Sequence, residues 1–445
     1  MSRSLARLLR PFARVEPEEA VSASLLTLTV FLLLLGYYLL KTAREPLILL
    51  HGGAEVKSYA SAGQSLLLLL VIPAYAALAR RVGRLRLLIV VYGFFVSNLL
   101  IFAVLLQSGV EIGVPFYLWV GVFNNTAIAQ LWSFANDVYT PEQGQRLFAI
   151  LGIGSSVGAV VGAFVAKRLA GLGPASMLLG AAAILVLCVV LVAIVERREQ
   201  AGRVQVAASN DKPPIEGSAL QMLLHDKYLL WIALLTFLLN CVNSNGEYLL
   251  DRTLLEVLAA EGTSGQDAVR QVGAFKADYF GWVNLFGVLL QLFAVSRILR
   301  VLGVRRALYV LPAVAFLSYS FMLLTPVLAL IRMGKIAENS LDYSLQNTAR
   351  QTLFLVGTRA EKYLGKTVID TFIVRTGDVF SALLVFAAGR LKLPSSGFAV
   401  LNLSLIACWV LVLVGLGREH RRRSRELGLP SESGVRVDAP AESAT

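Results

Sequence analysis

The chain has 445 residues, of which 56% are hydrophobic and only 16% charged, and its mean hydropathy is +0.68. A water-soluble globular protein does not carry that balance, and long apolar runs parted by short basic loops also exclude disorder, collagen and a coiled coil. The 41 Lys+Arg against 29 Asp+Glu give a formal charge of +12. In a soluble chain that excess would point to nucleic acid; here the cations gather in loops between apolar runs, so the charge describes orientation in a bilayer and no nucleic-acid partner is expected.

The chain opens with Arg3, Arg7, Arg10 and Arg14, then turns acidic at Glu16, Glu18 and Glu19. The first apolar run continues for a full span with no small-residue cleavage site, and reads as an uncleaved first helix. At roughly 20 residues per span, about twelve candidates follow: 21–50, 57–79, 87–107, 115–137, 146–168, 174–194, 228–253, 272–296, 307–324, 326–350, 366–389 and 397–416. The expected fold class is therefore an all-α membrane protein of about twelve transmembrane helices. Basic residues mark one side only, at Arg80 to Arg86, Arg197, Arg198 and Arg203, Arg297 to Arg306, and Arg418 to Arg423. By the positive-inside rule both termini are cytoplasmic, in a bacterial-type inner (plasma) membrane.

Within the fifth span, Gly154, Gly158 and Gly162 recur every four residues, a spacing for close helix packing rather than a phosphate loop. The polar stretch Gln200 to Ser218 divides the chain. The expected organisation is a first half at 1–199, a cytoplasmic linker at 200–224, a second half at 225–417 and a tail at 418–445. The halves repeat each other: Gly36-Tyr37-Tyr38-Leu39-Leu40-Lys41 parallels Gly246-Glu247-Tyr248-Leu249-Leu250-Asp251, and the basic turn around Gly83 parallels that around Gly303. Two six-helix pseudo-symmetric halves joined by a cytoplasmic linker are the major facilitator plan.

Charges at membrane depth cost about 2.5–3.5 kcal/mol each on insertion scales, so each needs a partner, a wet cavity or a ligand. The first span carries Lys41, Arg44 and Glu45 with Tyr37 one turn earlier; the fourth carries Thr126, Gln130, Ser133 and Asp137. The seventh carries Asn240, Asn243, Glu247 and Asp251, and the tenth Arg332, Lys335, Glu338 or Asn339, Asp342, Gln346 and Arg350. The eleventh adds Lys366, Asp370, Arg375 and Asp378. Spacings of three and four put each set on one helix face. In such a duplicated bundle the first, fourth, seventh and tenth helices line the central cavity, while the nearly uncharged third, sixth, ninth and twelfth face lipid. Lys41 with Arg44, and Arg332 with Lys335, are pairs of like charge that suit an anion with several charges. Asp137, Asp251, Asp342, Arg350, Asp370, Arg375 and Asp378 read as gating or ion-pair residues. Cys188, Cys241 and Cys408 lie in apolar runs and His51, His225 and His420 are scattered, so neither a disulfide framework nor a metal or cofactor site is expected.

The segments Tyr38 to Glu45, Gly53-Ala54-Glu55-Val56, Trp132 to Asn136, Tyr343-Ser344-Leu345 with Arg350, and Gly365 to Asp370 resemble the non-mitochondrial ATP/ADP exchangers of plastids and obligate intracellular bacteria. The chain departs from that family at Asp342, Asn347 and Arg350-Gln351. The resemblance implies nucleotide handling by Arg44 with Glu45, by Glu247 and by Lys366. The reading is a monomeric alternating-access secondary transporter for a small anionic solute, a nucleotide or another phosphorylated anion, with the lipid bilayer as its other partner. Its rivals are a proton-coupled facilitator using Glu247 or Asp251, and a non-transporting membrane scaffold. No nucleophile–base pair or cofactor loop points to an enzyme.

Overall fold

A computed structural model describes residues 15–79, 81–202, 223, 225–356, 361 and 365–426. The linker from 203 to 222, with Arg80, Arg203 and the tail beyond 426, lies outside the described residues. Among the described residues 92% are helical and none forms a strand. That is the arrangement a bilayer demands, since a helix satisfies every backbone polar group within its own segment.

The first two predicted spans form one element, α1 (Ala20–Ala79), broken at Gly53, whose φ of 75° and ψ of 179° are not helical. Only glycine adopts that φ without strain, so the break is written at this position. Just before α1, Glu19 accepts hydrogen bonds from Arg146 and from Gln143 at 2.9 Å. Burial would raise the Glu19 carboxyl, but these bonds outweigh it and hold the group below its ordinary range. Next come α2 (Arg84–Gln107), α3 (Gly113–Val138), α4 (Pro141–Leu169) and α5 (Pro174–Gly202). Helix α4 opens with a reciprocal capping box, in which Thr140 accepts from the Gln143 amide and the Gln143 side chain accepts from the Thr140 amide.

The later helices are α6 (Lys227–Ala260), α7 (Gly265–Phe293), α8 (Val295–Ala307), α9 (Val310–Leu324), α10 (Leu328–Leu341), α11 (Asn347–Leu353), α12 (Lys366–Val368), α13 (Val374–Arg390) and α14 (Ser395–Glu426). Helix α8 bends 78° away from α7. The tenth and eleventh spans are interrupted by wide π turns at Asp342–Gln346 and Ile369–Ile373. Around the first turn, the hydroxyls of Ser340, Ser344 and Thr348 donate back to the carbonyls four residues earlier. That competes with the regular ladder and explains why the expected straight helix is not found there. Seven described helices, or eight with the bent pair, are long and apolar enough to cross a membrane. Helix α3 is not among them; it carries the polar stripe that includes Gln130 and Asp137.

The chain groups into two compact units: 1–212 with 247–285 and 382–390, and 213–246 with 286–381 and 391–445. In unit one, α1 packs against α3, α4 and α5, and α2 against α5. Helices α2 and α5 expose rows of apolar side chains, including Ile101 and Val104 on α2 and Val186 and Val190 on α5, as lipid-facing helices do. In unit two, α9 packs on α10 and α14, and α8 on α11.

The glycine stripe of α4 is a packing surface. A Cβ built on Gly158 would stand 2.3 Å from the Phe31 carbonyl oxygen and 2.9 Å from its Cα, and Gly162 meets the Leu35 Cα at 2.7 Å. Those neighbours are backbone and cannot swing away. Gly158→Ala is therefore expected to cost about 1–3 kcal/mol by forcing α1 and α4 apart, read as loss of thermal stability in detergent; unchanged stability would contradict the packing.

Candidate functional site

The charged residues of unit one converge on one buried cluster. Glu45, wholly buried on α1, accepts from Arg44 at 2.8 and 3.2 Å and pairs with Lys57 at 2.5 Å. Lys57, beyond the Gly53 break on the same element, reaches Asp251 of α6 at 2.6 Å. Asp251 is also paired with Lys276 of α7, which lies 3.9 Å from Glu45 and 3.8 Å from Glu247 and is itself wholly buried. Glu247 further accepts a hydrogen bond of 2.5 Å from the Tyr279 hydroxyl. The break at Gly53 is what folds Lys57 back toward Glu45, twelve residues earlier in the chain.

Aromatic rings wall this cluster. The Arg44 guanidinium lies 4.2 Å from the centroid of Tyr117, and Lys41 Nζ lies 4.2 Å from Phe280 and 5.3 Å from Tyr38. The Tyr38 hydroxyl in turn donates to Asn284 at 2.9 Å. Counting formal charges, Lys41, Arg44, Lys57 and Lys276 face Glu45, Glu247 and Asp251, so one cation is in excess. Lys41 is that cation: among the described residues no carboxylate lies within ion-pair distance of it, and aromatic faces hold it instead. Glu55, which accepts from Tyr248 at 2.8 Å, belongs to a more exposed outer group with Arg252 and Glu256.

Unit two holds separate groups. Lys335 is buried and pairs with Glu338 at 3.1 Å while donating to the Asn243 side chain at 2.8 Å. Asn240 donates to Asp378 at 2.8 Å, with Arg375 3.7 Å from the same carboxylate, and Arg350 lies 3.7 Å from Asp370.

The predicted site residues thus fall into several places. Lys41, Arg44, Glu45, Glu247 and Asp251 come together in unit one. Lys335 is neutralised locally by Glu338, so it does not form a free cationic pair with Arg332, which is half-buried. Asp342 and Arg350 flank the first π turn, and Lys366 opens α12 next to Gly365. Asp137 is exposed near the end of α3, about 30 Å along the helix from Tyr117 at 1.5 Å per residue. Lys57, Lys276, Tyr279, Tyr117 and Asn284 were not singled out from the sequence. The rule that flags charges at membrane depth finds Lys276, inside the eighth predicted span, whereas Lys57 at the edge of the second span reads as an interfacial cation.

Apolar helices of spanning length with a buried, hydrogen-bonded set of charges among them are the build of a multi-pass membrane protein. The Major Facilitator Superfamily model matches residues 26–349. The chain belongs to that superfamily. No curated sequence relative matches it. Among solved structures, it is similar to the nucleoside transporter NupG, with a TM-score of 0.62 at 10% identity over 89% of this chain and 98% of that one. It is also similar to a POT family transporter in complex with 5-aminolevulinic acid, at 0.63 and 12% over 90% and 96%. A bacterial homolog of the human lysosomal transporter Spinster aligns at 0.51 and 14% over 92% and 98%. At these identities the likeness is one of fold.

Proposed function

We propose that the protein is an alternating-access secondary transporter whose cargo is a nucleotide or a related phosphorylated anion, taken in exchange for another. The observation that carries this reading is the excess cation of unit one. Lys41 stands between aromatic faces beside a network in which every carboxylate already has a cation. Phosphate oxygens can satisfy Lys41 as a point charge and compete with Glu45 for the Arg44 fork. The buried rings of Tyr38, Phe280 and Tyr117 hold Lys41 and Arg44 in place for such a ligand. An unmatched buried cation also disfavours crossing empty, which couples outward to inward movement and favours exchange over free leak.

One arrangement favours the proton-coupled reading. Glu247 keeps a quarter of its side chain exposed while sharing Lys276 with Asp251, a geometry in which the carboxylate can take a proton and release the lysine. The two readings separate by a thermal-shift screen of the purified protein with nucleotides, sugar phosphates, free phosphate and a neutral nucleoside. The exchange reading expects stabilisation that grows with ligand charge; stabilisation by the neutral nucleoside alone would overturn it. Both termini are proposed to be cytoplasmic in a bacterial-type inner membrane. A cysteine at Ser424, in a background lacking the natural cysteines, should resist impermeant labelling from outside intact cells, and labelling there would reverse the orientation.

A further inference from the structure

Helix α8 carries chemistry that none of the roles above uses. Its 13 residues reach about 20 Å at 1.5 Å per residue, too short to cross a bilayer core of about 30 Å. With the 29-residue α7 standing across the bilayer, the 78° turn lays α8 nearly in the membrane plane. One edge of α8 is anchored on unit two, where Val295 and Ala307 are buried with Leu345 and where Ile298 and Leu299 pack on them. The other edge is bare. Arg297 and Arg300 are exposed, and Val301, four residues after Arg297 and so on its face, is 79% exposed. Leu292 and Phe293, at the bend where α8 begins, are each 61% exposed. The sequence has no Asp or Glu between Asp278 and Glu338, and among the described residues neither arginine has a carboxylate partner. The basic surface continues on α14, where Arg418, Arg421 and Arg425 are exposed at spacings of three and four. Arg421 acts electrostatically on Tyr309, two residues beyond the end of α8.

We propose that α8 is an interfacial anchor that binds an anionic phospholipid, with Arg297 and Arg300 holding the headgroup phosphate and Val301 and Phe293 entering the acyl region below it. Two guanidinium groups one turn apart repel each other, and a phosphate between them relieves that repulsion while accepting from both. Orienting the chain in the bilayer needs only the charge of this stretch. It does not need bare apolar side chains beside the arginines, which would be costly in water and are at home where headgroups meet acyl chains. A free phosphate in solution would satisfy the arginines and leave that apolar surface wet, so the pairing of the two chemistries selects a lipid. A zwitterionic lipid offers the phosphate together with its own cation, which the arginines of α8 and α14 repel. The break at Gly303, whose φ is 73°, ends the straight part of α8 just past Val301 and turns the chain back toward α9. The site lies on unit two and is independent of the cargo cluster in unit one.

The test uses the full-length protein without any substrate, so failure of the nucleotide reading would not affect it. Detergent-solubilised protein is titrated with phosphatidylglycerol or phosphatidylcholine, and bound lipid is counted by native mass spectrometry. The parent should retain phosphatidylglycerol in preference to phosphatidylcholine. Arg297→Gln with Arg300→Gln should weaken phosphatidylglycerol binding by about fivefold per guanidinium removed and leave phosphatidylcholine binding as it was. Both side chains are exposed and unpaired, so this variant is expected to fold. Val301→Ser keeps both charges and should weaken phosphatidylglycerol by a smaller factor. Arg270→Gln, at an exposed arginine 3.8 Å from Asp267, should bind both lipids as the parent does. Equal retention of the two lipids by the parent, or unchanged phosphatidylglycerol binding in the double variant, would overturn the proposal. So would displacement of the lipid by inorganic phosphate at equal concentration, which would make the surface a general anion site.

Discussion

Replacing Lys276 by methionine is expected to destabilise the protein by about 3–5 kcal/mol, the cost of removing one partner from a buried ion pair. Lys276 is wholly buried and touches Asp251, with Glu45 and Glu247 within 4 Å. The lower end of the range is expected, because Lys57 stays on Asp251 at 2.6 Å and Arg44 stays on Glu45 at 2.8 Å. Most of the loss arises from carboxylates left with too little positive charge, so removing one negative charge should recover it. The double variant Lys276→Met with Asp251→Asn restores the excess of one cation and should melt closer to the parent than the single variant does. Denaturant titration in detergent measures both. A single-variant loss below about 1 kcal/mol, the range of surface pairs, would mean that the cluster is wet enough to be screened.

Lys41→Gln is expected to act on ligand binding and spare the fold. Among the described residues no carboxylate depends on Lys41 for ion pairing, and aromatic faces lie 4.2 and 5.3 Å from it. A unit charge pair about 6 Å apart at an effective dielectric near 20 is worth about 3 kcal/mol. Each further negative charge on the ligand adds a smaller share as it lies farther away. The loss of affinity on Lys41→Gln should therefore be larger for a nucleoside triphosphate than for the monophosphate, by about tenfold or more, which corresponds to 1.4 kcal/mol. Raising the salt concentration should narrow the gap. Isothermal titration of the two ligands against parent and variant checks this, and equal losses for both would make Lys41 a structural residue. Arg44→Gln is the informative contrast, since it also strips Glu45 of a bond and should lose stability as well as affinity.

Much of this architecture was legible because the bilayer leaves few options. An apolar run of about 20 residues has to be a helix, and most helices of the structure overlap the predicted spans, whereas α8 (Val295–Ala307) lies in the basic stretch read as a loop between the eighth and ninth of them. The glycines of α4 were legible for the same reason, since a stripe of missing side chains at helical spacing has one ready use. The interruptions at Asp342 and Ile369 were not legible. At Asp342, serine and threonine hydroxyls compete with the backbone, a local contest that hydrophobic periodicity does not register.

The site divides in a similar way. Lys41, Arg44, Glu45, Glu247 and Asp251 stood out because a charge in an apolar run is expensive wherever its helix goes. Their partners did not, because pairing depends on how helices turn toward one another. Lys57 reaches Glu45 only through the positive φ of Gly53, and Lys276 reaches Asp251 only through the packing of α7 on α6. Lys335 misled for the complementary reason: Glu338 three residues later could have been read as its partner at helical spacing, and is so at 3.1 Å.

The central claim, exchange of phosphorylated anions at a cluster with one cation in excess, is tested most directly by uptake of radiolabelled ATP into liposomes holding the purified protein. With unlabelled ADP trapped inside and no pH gradient, the account predicts rapid uptake that collapses when the lumen is empty and is strongly reduced by Lys41→Gln. Uptake that ignores internal nucleotide and instead follows an imposed proton gradient, or no uptake of any nucleotide by well-folded protein, would contradict it.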